Sequence, residues 1–294
     1  SLILAGTGRT IYFENLNNKY ILPSVLGISF IAVGVIRSIP TNKWRVIAVS
    51  VVICLSVITN SLNISYYRNF WNIEKSLWWQ LSWRTPDVQE STVILPNLPS
   101  GFGLIDNYEI WPQADLIYGR EKDPLWAMGE VVNSETLGVI LNQATYGRTI
   151  KRIPTVIDLT NALVLSMPSN PGCLKVGNKT NLLFSAGTLP LARIISPISR
   201  VDLLNVGDTD WKIPPTTVFG NEPEHTWCYF YQKSELSLQH YNWKELTENI
   251  DRALELGYSP TDASEWVPAY IGYAYAGQID MTNEIGGYLR SDPE

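Results

Sequence analysis

Uncharged, mostly apolar residues run from Tyr20 to Ile36, between Lys19 and Arg37, and again from Val46 to Tyr67. At about 1.5 Å per residue, the seventeen residues of the first stretch nearly span a hydrocarbon core of about 30 Å, and the twenty-two of the second span it comfortably. The apolar heart of the second, Val46–Ile58, is thirteen residues, a length that a buried core helix also has. It carries no polar stripe, however, whereas a surface helix of a globular protein shows one. The flanks favour a membrane as well. Lys19, Arg37, Lys43 and Arg45 stand just outside the apolar stretches, with Trp44 at one boundary and Tyr66, Tyr67, Phe70 and Trp71 at the other, as in an interfacial aromatic belt. A cleaved signal peptide fits less well, because there are two spans and no small-residue cleavage site follows the second. The pattern predicts two transmembrane helices near 20–36 and 46–67, inside a membrane region of residues 1–67.

Beyond them the period changes. Asn72–Trp83 predicts a Trp-rich juxtamembrane helix ending at Thr85-Pro86. Thr92–Leu95 is a short β-prone run before Pro96, and the Pro- and Gly-rich stretch through Trp111-Pro112 reads as loop. Ser134 is an N-cap candidate for a helix whose Leu137, Ile140, Leu141 and Ala144 share one face, with Gly147 as its stop. Ile153–Leu159, a Thr160-Asn161 turn, Ala162–Met167, the breakers Pro168–Gly172 and Cys173–Val176 predict a strand series joined as antiparallel neighbours. Residues 182–204 carry no assignable period, and Gly207–Pro215 reads as a linker. Residues 68–215 form an α+β domain on this reading.

Residues 216–294 are helical in pattern. Trp227–Gln239 is one helix. Asn242 caps the next, with Glu245 in capping-box position, Leu246, Ile250, Ala253 and Leu254 as its buried stripe, an i, i+4 pair Glu248–Arg252 and Gly257 as its stop. A third starts near Ser264, since Pro268 fits a first turn, and continues through Tyr275. Ser234, Ala253, Pro260, Gly272 and Tyr275 resemble the small, proline and aromatic positions of tetratricopeptide repeats, with 38 residues rather than about 34 between Ser234 and Gly272. One and a half repeats imply helices that pack on the α+β domain.

Charge supports an orientation. The loop Arg37–Arg45 holds three basic residues and no acid, so the positive-inside rule places it in the cytoplasm and residues 68–294 outside. Residues 1–67 carry five basic and one acidic side chain, which leaves −10 of the formal −6 on residues 68–294. A unit so acidic excludes nucleic acid as a partner and leaves the lipid bilayer to the spans. Ser1 opens directly in what reads as an outer loop, which suggests further spans upstream. Cys54 lies within the second span. Cys173 and Cys228, in an oxidising compartment, either pair or stand as two buried thiols; a bridge would close a loop worth on the order of 4 kcal/mol in the chain-entropy model.

Catalytic signals are sparse. His225-x-x-Cys228 lacks two further zinc ligands, and Gly101-Phe-Gly103 lacks the third glycine and helix of a dinucleotide loop. Nothing points to a metal or cofactor. One cluster combines carboxylates with aromatic rings: Asp106, Asn107, Tyr108 and Glu109, with Trp111 and Asp115 behind. Asp106, Tyr108, Glu109 and Trp111 suit a sugar or cation on a ligand-facing loop, or simply a solvated loop over the sheet.

Lys19-Tyr-Ile-Leu-Pro23 resembles the lead-in to a late transmembrane helix of dolichyl-phosphate-mannose-protein mannosyltransferase-like glycosyltransferases. The segments Trp79–Pro86, Phe219–Lys233, Ala253–Tyr258 and Glu265–Pro268 are similar to the tails of uncharacterised bacterial membrane proteins grouped with that class. The resemblance implies a non-catalytic portion of a multi-spanning enzyme that takes sugar from a polyprenyl phosphate and passes it to a glycan or protein acceptor. The catalytic acid of such enzymes lies in their first outer loop, so no catalytic residue transfers to this chain. The alternative is an anchored tetratricopeptide-like docking module, which predicts an exposed apolar patch at Tyr229, Tyr231, Tyr270 and Tyr273.

Overall fold

The computed structural model describes residues 22–99, 107–120, 126–134, 136–150, 153–167, 172–179, 189–204 and 211–291. Chain contacts divide it into two units, Ser1–Trp71 and Asn72–Glu294.

In the first unit, helix α1 (Leu22–Ser38) and the start of helix α2 (Asn42–Arg84) are joined by a short turn. Arg45 fixes that turn: its Nε donates to the Ile39 carbonyl at 2.8 Å and its Nη2 to the Arg37 carbonyl at 3.2 Å. A cation there also meets the negative end of the α1 dipole. Apolar side chains are bare on every side of α2 from Val46 to Ile64, Ile53 at 57% exposure among them, and Phe30 of α1 is 77% exposed. Thr59 and Asn60 hydrogen-bond back to the carbonyls of Leu55 and Ser56, so their polar groups are satisfied within the helix. α2 contains a stretch long and apolar enough to cross a membrane.

The juxtamembrane helix expected as a separate element is continuous with this one, since nothing between Tyr67 and Asn72 breaks a helix. Residues 72–84 of α2 belong to the second unit, where Leu77, Trp78, Trp79 and Leu81 are buried. The Trp79 indole donates to the Phe219 carbonyl at 3.4 Å, and that of Trp83 to Glu222 at 2.9 Å.

The second unit then builds β1 (Thr92–Asn97), α3 (Trp111–Tyr118), β2 (Ala127–Gly129), α4 (Leu137–Leu141), β3 (Thr145–Ile150), β4 (Ile153–Asp158), β5 (Ala162–Ser166) and β6 (Lys175–Val176). One sheet has the order β2-β1-β5-β6, with β1 parallel to both neighbours and β6 antiparallel to β5; β3 and β4 form a separate antiparallel pair. The expected antiparallel series holds for β5 and β6 and is corrected for β4, which pairs with β3 rather than with β5. Around Thr160-Asn161 a 3-10 turn, Leu159–Asn161, capped by the Asp158 carboxylate on the Thr160 N–H, carries the chain from one sheet to the other instead of folding β4 onto β5. β1 and β5 are near-continuous apolar runs, as strands buried on both faces require. β1 extends through Pro96 because β2 ends opposite Ile94, so the missing N–H interrupts no ladder bond on that side.

The helix expected from Ser134 to Gly147 is confined to α4. Gln143, at φ 47°, turns the chain out of it, and Gly147 sits inside β3 opposite Val156. Val93, Leu95, Met128, Ile140, Ile157 and Val164 share one core. Residues 182–204, without a period in sequence, contain α5 (Pro190–Ile195), whose Ala192 N–H is capped by the distant Asn97 side chain at 3.1 Å.

After α6 (Thr216–Phe219) come α7 (Trp227–Gln239), α8 (Trp243–Glu255), α9 (Val267–Tyr275) and α10 (Ile279–Ser291), each packed on the next. Asn242 caps α8 by accepting from the Glu245 N–H, and Gly257, at φ 79°, ends it. The expected Glu248–Arg252 pair is absent: Arg252 meets Glu255 at 3.0 Å and Glu248 meets Lys244 at 3.7 Å. Both pairings keep the acids within one turn of a base, so the change is small in energy. Tyr231 of α7 and Tyr273 of α9 lie in the core of these helices, packed in one cluster with the α8 stripe Leu246, Ile250 and Ala253. That removes half of the expected exposed tyrosine patch.

Gly272 marks a tight contact between α8 and α9. A Cβ there would lie 2.2 Å from Leu246 Cδ2, and Leu246 is itself fully buried. Gly272→Ala is therefore expected to lower stability by about 1–3 kcal/mol, read from denaturant unfolding in detergent. Leu246→Val should recover part of that loss. Equal stability of Gly272→Ala and the parent chain would show that the two helices are free to separate.

Candidate functional site

β1 and β5 end together at Asn97 and Ser166, whereas β2, also parallel to β1, ends sooner, at Gly129 opposite Ile94. The carboxyl ends of parallel strands are where open α/β sheets bind ligands, and a cavity of about 610 Å³ opens past the end of β2. Gly129 allows the close approach: a Cβ on it would meet Ile110 Cγ2 at 2.3 Å. The next residue, Glu130, extends the ladder by one hydrogen bond, N–H to the Ile94 carbonyl at 3.0 Å. Its carboxylate, 3% exposed, is thereby held in the cavity wall.

Both of its oxygens are occupied. Oε1 accepts from Asn107 Nδ2 at 2.6 Å and from the Val131 N–H at 3.3 Å. Oε2 accepts from Arg148 Nη1 at 2.9 Å and from the Tyr146 hydroxyl. Arg148 Nη2 donates in turn to Asn107 Oδ1 at 2.6 Å, which closes a ring of three side chains. Tyr146 and Arg148 reach the same carboxylate because they are two apart on β3 and so share a face. Burial, and then the neighbouring Glu130, push the Tyr146 hydroxyl well above its ordinary value, so it remains a donor. Asn133 and Thr136 form a reciprocal pair on the lining and anchor the start of α4: the Thr136 N–H donates to Asn133 Oδ1 at 2.9 Å and the Asn133 N–H to Thr136 Oγ1 at 3.0 Å.

The loop that combines carboxylates with aromatic rings is split by this arrangement. Asn107 turns into the site and bonds Glu130. Tyr108 is 41% exposed and is not part of the lining. Trp111 packs against the strand core, and the Asp115 carbonyl accepts the Gly119 N–H that ends α3. Glu109 acts on Glu74, a buried residue of α2: burial first, and the charge of Glu109 second, push the Glu74 carboxyl up to about 7. Asp106 and Gly101-Phe-Gly103 lie outside the described residues. Glu130, Tyr146 and Arg148 had no signal in the sequence beyond a lone acid after an apolar triplet and a polar pair two apart.

Elsewhere, Cys173 and Cys228 are joined by a disulfide with Cα atoms 5.2 Å apart. His225 stacks on Tyr229 at 3.5 Å between ring centroids, with its Nε2 2.9 Å from Glu222. His225 and Cys228 are thus engaged separately. No protein-family model matches the chain, and neither does any curated protein or solved structure.

Glu74 gives the unit a pH dependence of definite sign. Its carboxyl binds a proton more tightly folded than unfolded, so its contribution to stability is complete below about 4.5 and is lost as pH rises through about 7. The loss is on the order of 3 kcal/mol. Denaturant midpoints of the detergent-solubilised chain should fall between pH 4.5 and 7, and Glu74→Gln should flatten that part of the profile. An unchanged profile in Glu74→Gln would assign the dependence to other groups.

Proposed function

We propose that this chain is the membrane-anchored, ligand-binding region of a glycosyltransferase-like protein that uses lipid-linked sugars, and that the Glu130 cavity receives the hydroxyl groups of a glycan or a polar protein acceptor. The observation that carries this reading is a buried carboxylate held by four donors at the carboxyl end of a parallel strand, facing a cavity of about 610 Å³. Pockets for small molecules run from about 300 to 1,000 Å³ and fix their ligands with a few pre-positioned polar groups. Here the ring of Asn107, Glu130 and Arg148 is that set. Arg148 is fixed by two of its donors, and the remaining N–H groups of its fork can meet sugar hydroxyls. Glycoside chemistry of the usual kind needs two opposed carboxyl groups; the described lining has one, already engaged, which suits binding.

The same proposal places α1 and the apolar part of α2, residues 46–67, as two membrane spans. The turn stapled by Arg45 is then cytoplasmic and the second unit extracytoplasmic. The basic residues Arg37, Lys43 and Arg45 support that side. We read α7–α10 as tetratricopeptide-like, supported by the burial of Ser234, Ala253 and Gly272 where the helices meet.

Titration of the detergent-solubilised chain with mannobiose and with chitobiose, followed by intrinsic fluorescence, should show saturable binding of one of them. Arg148→Met should weaken it at least tenfold, while Tyr108→Ala should leave it unchanged. Absence of saturable glycan binding, or full affinity in Arg148→Met, removes the proposal. Orientation is tested in a Cys54→Ser background. A membrane-impermeant maleimide should label Glu248→Cys on intact cells and Lys43→Cys only after the cells are opened. The reverse pattern would put the second unit in the cytoplasm.

A further inference from the structure

A second cavity, of about 750 Å³, lies in the same unit and is lined by different residues. At its wall is Arg84, the last residue of α2, which is 2% exposed. Its Nη2 donates to Gln239 Oε1 at 2.9 Å, and Gln239 is held in that orientation because its own Nε2 donates to the Val201 carbonyl at 2.8 Å. The N–H groups on Arg84 Nε and Nη1 have no acceptor among the described residues. A buried guanidinium with idle donors is costly, because its lost hydration has not been replaced. Beside it in the lining is Glu235, also buried, whose Oε1 has no donor. The two side chains influence each other's charge but share no hydrogen bond, so both carry unused capacity within the wall of the cavity.

The rest of the lining adds charge of one sign. Lys179 is exposed at the cavity, and Arg200 carries a two-point pair with Asp202, Nε to Oδ1 at 2.8 Å and Nη2 to Oδ2 at 2.6 Å. Three cations thus face two carboxylates in the lining, within a stretch of chain, residues 68–294, whose net charge is −10. An excess of positive charge in an acidic unit attracts an anion. The guanidinium fork matches the oxygens of phosphate or carboxylate. Glu235 Oε1 is an acceptor, so the same ligand must also offer a hydroxyl.

We propose that this cavity binds a hydroxylated phosphate ester: its phosphate oxygens accept from Arg84 Nε and Nη1, and a hydroxyl donates to Glu235 Oε1. Lys179 at the lip draws the phosphate in. The site is separate from the Glu130 cavity and stands whether or not that cavity holds a glycan. A soluble sugar phosphate and the headgroup of a membrane lipid both have this chemistry.

The test uses the full chain in detergent micelles and calorimetric titration with glucose 1-phosphate, glucose and sulfate. Glucose 1-phosphate is expected to bind, sulfate to bind at least tenfold more weakly for lack of the hydroxyl, and glucose not to bind. Arg84→Met should cost at least tenfold in glucose 1-phosphate affinity, and Glu235→Leu should weaken glucose 1-phosphate while sparing sulfate. Should Arg84→Met fail to fold, the exposed Lys179→Glu still must reduce affinity severalfold. Arg148→Met, in the other cavity, should change nothing. Competition by phosphatidylinositol in mixed micelles would assign the natural ligand to a lipid headgroup, and its absence to a soluble compound; binding through Arg84 is expected in either case. No binding of glucose 1-phosphate, or binding indifferent to both Arg84→Met and Lys179→Glu, overturns the site.

Discussion

The segment Cys173–Lys175 is short, and the packing of the helices on the sheet depends on it. Among the described strands β6 pairs with β5 alone, so the buried backbone groups on its other side meet no described strand. Side chains meet them instead. Glu265 Oε1 accepts the Cys173 N–H at 3.0 Å, Gln80 Oε1 accepts the Leu174 N–H at 2.8 Å, and Gln232 Nε2 donates to the Leu174 carbonyl at 2.7 Å. A buried peptide group left unpaired costs about 1–3 kcal/mol. Three such groups therefore tie the end of α2, the middle of α7 and the turn before α9 to one strand edge. Glu265 is also fixed by the Trp227 indole at 2.8 Å, and burial pushes its carboxyl up while it pushes the nearby Lys175 ammonium down. The weaker charges are those least costly to hold out of water.

Helix α2 meets two environments along its length. Around Val46–Ile64 its apolar side chains are bare on all faces, and Thr59 and Asn60 are satisfied by the helix itself. From Leu77 onward its large apolar residues are covered by protein, and its polar residues reach outward for partners: Gln80 for Leu174, Trp83 for Glu222, Arg84 for Gln239.

Much of the helical part was legible in the sequence because its signals are local. Asn242 with Glu245, the stripe Leu246–Ile250–Ala253, Gly257 and Pro268 each act within a turn or two, and α7–α9 fall where those residues put them. The sheet was not legible, because a parallel pairing such as Val93 with Ala162 joins residues far apart and leaves no turn signature between them. The candidate site failed to show for the same reason. Asn107 could be picked out with its aromatic neighbours, yet Glu130, Tyr146 and Arg148 become partners only after β1, β2 and β3 are in place. Arg84 gave no hint at all: in sequence it is one more base at a helix end, and its idle donors exist only once Gln239 and Glu235 have closed around it.

The disulfide between Cys173 and Cys228 has a consequence for how the molecule survives damage. It encloses residues 174–227, so a single cut of the backbone anywhere in that interval leaves the two products covalently joined. The apolar stretch of α2 lies on one side of such a cut and α7–α10 on the other. The C-terminal helices thus have two independent covalent routes back to the apolar helix, and a protease must break the chain outside the loop, or a reductant must open it, before they are set free.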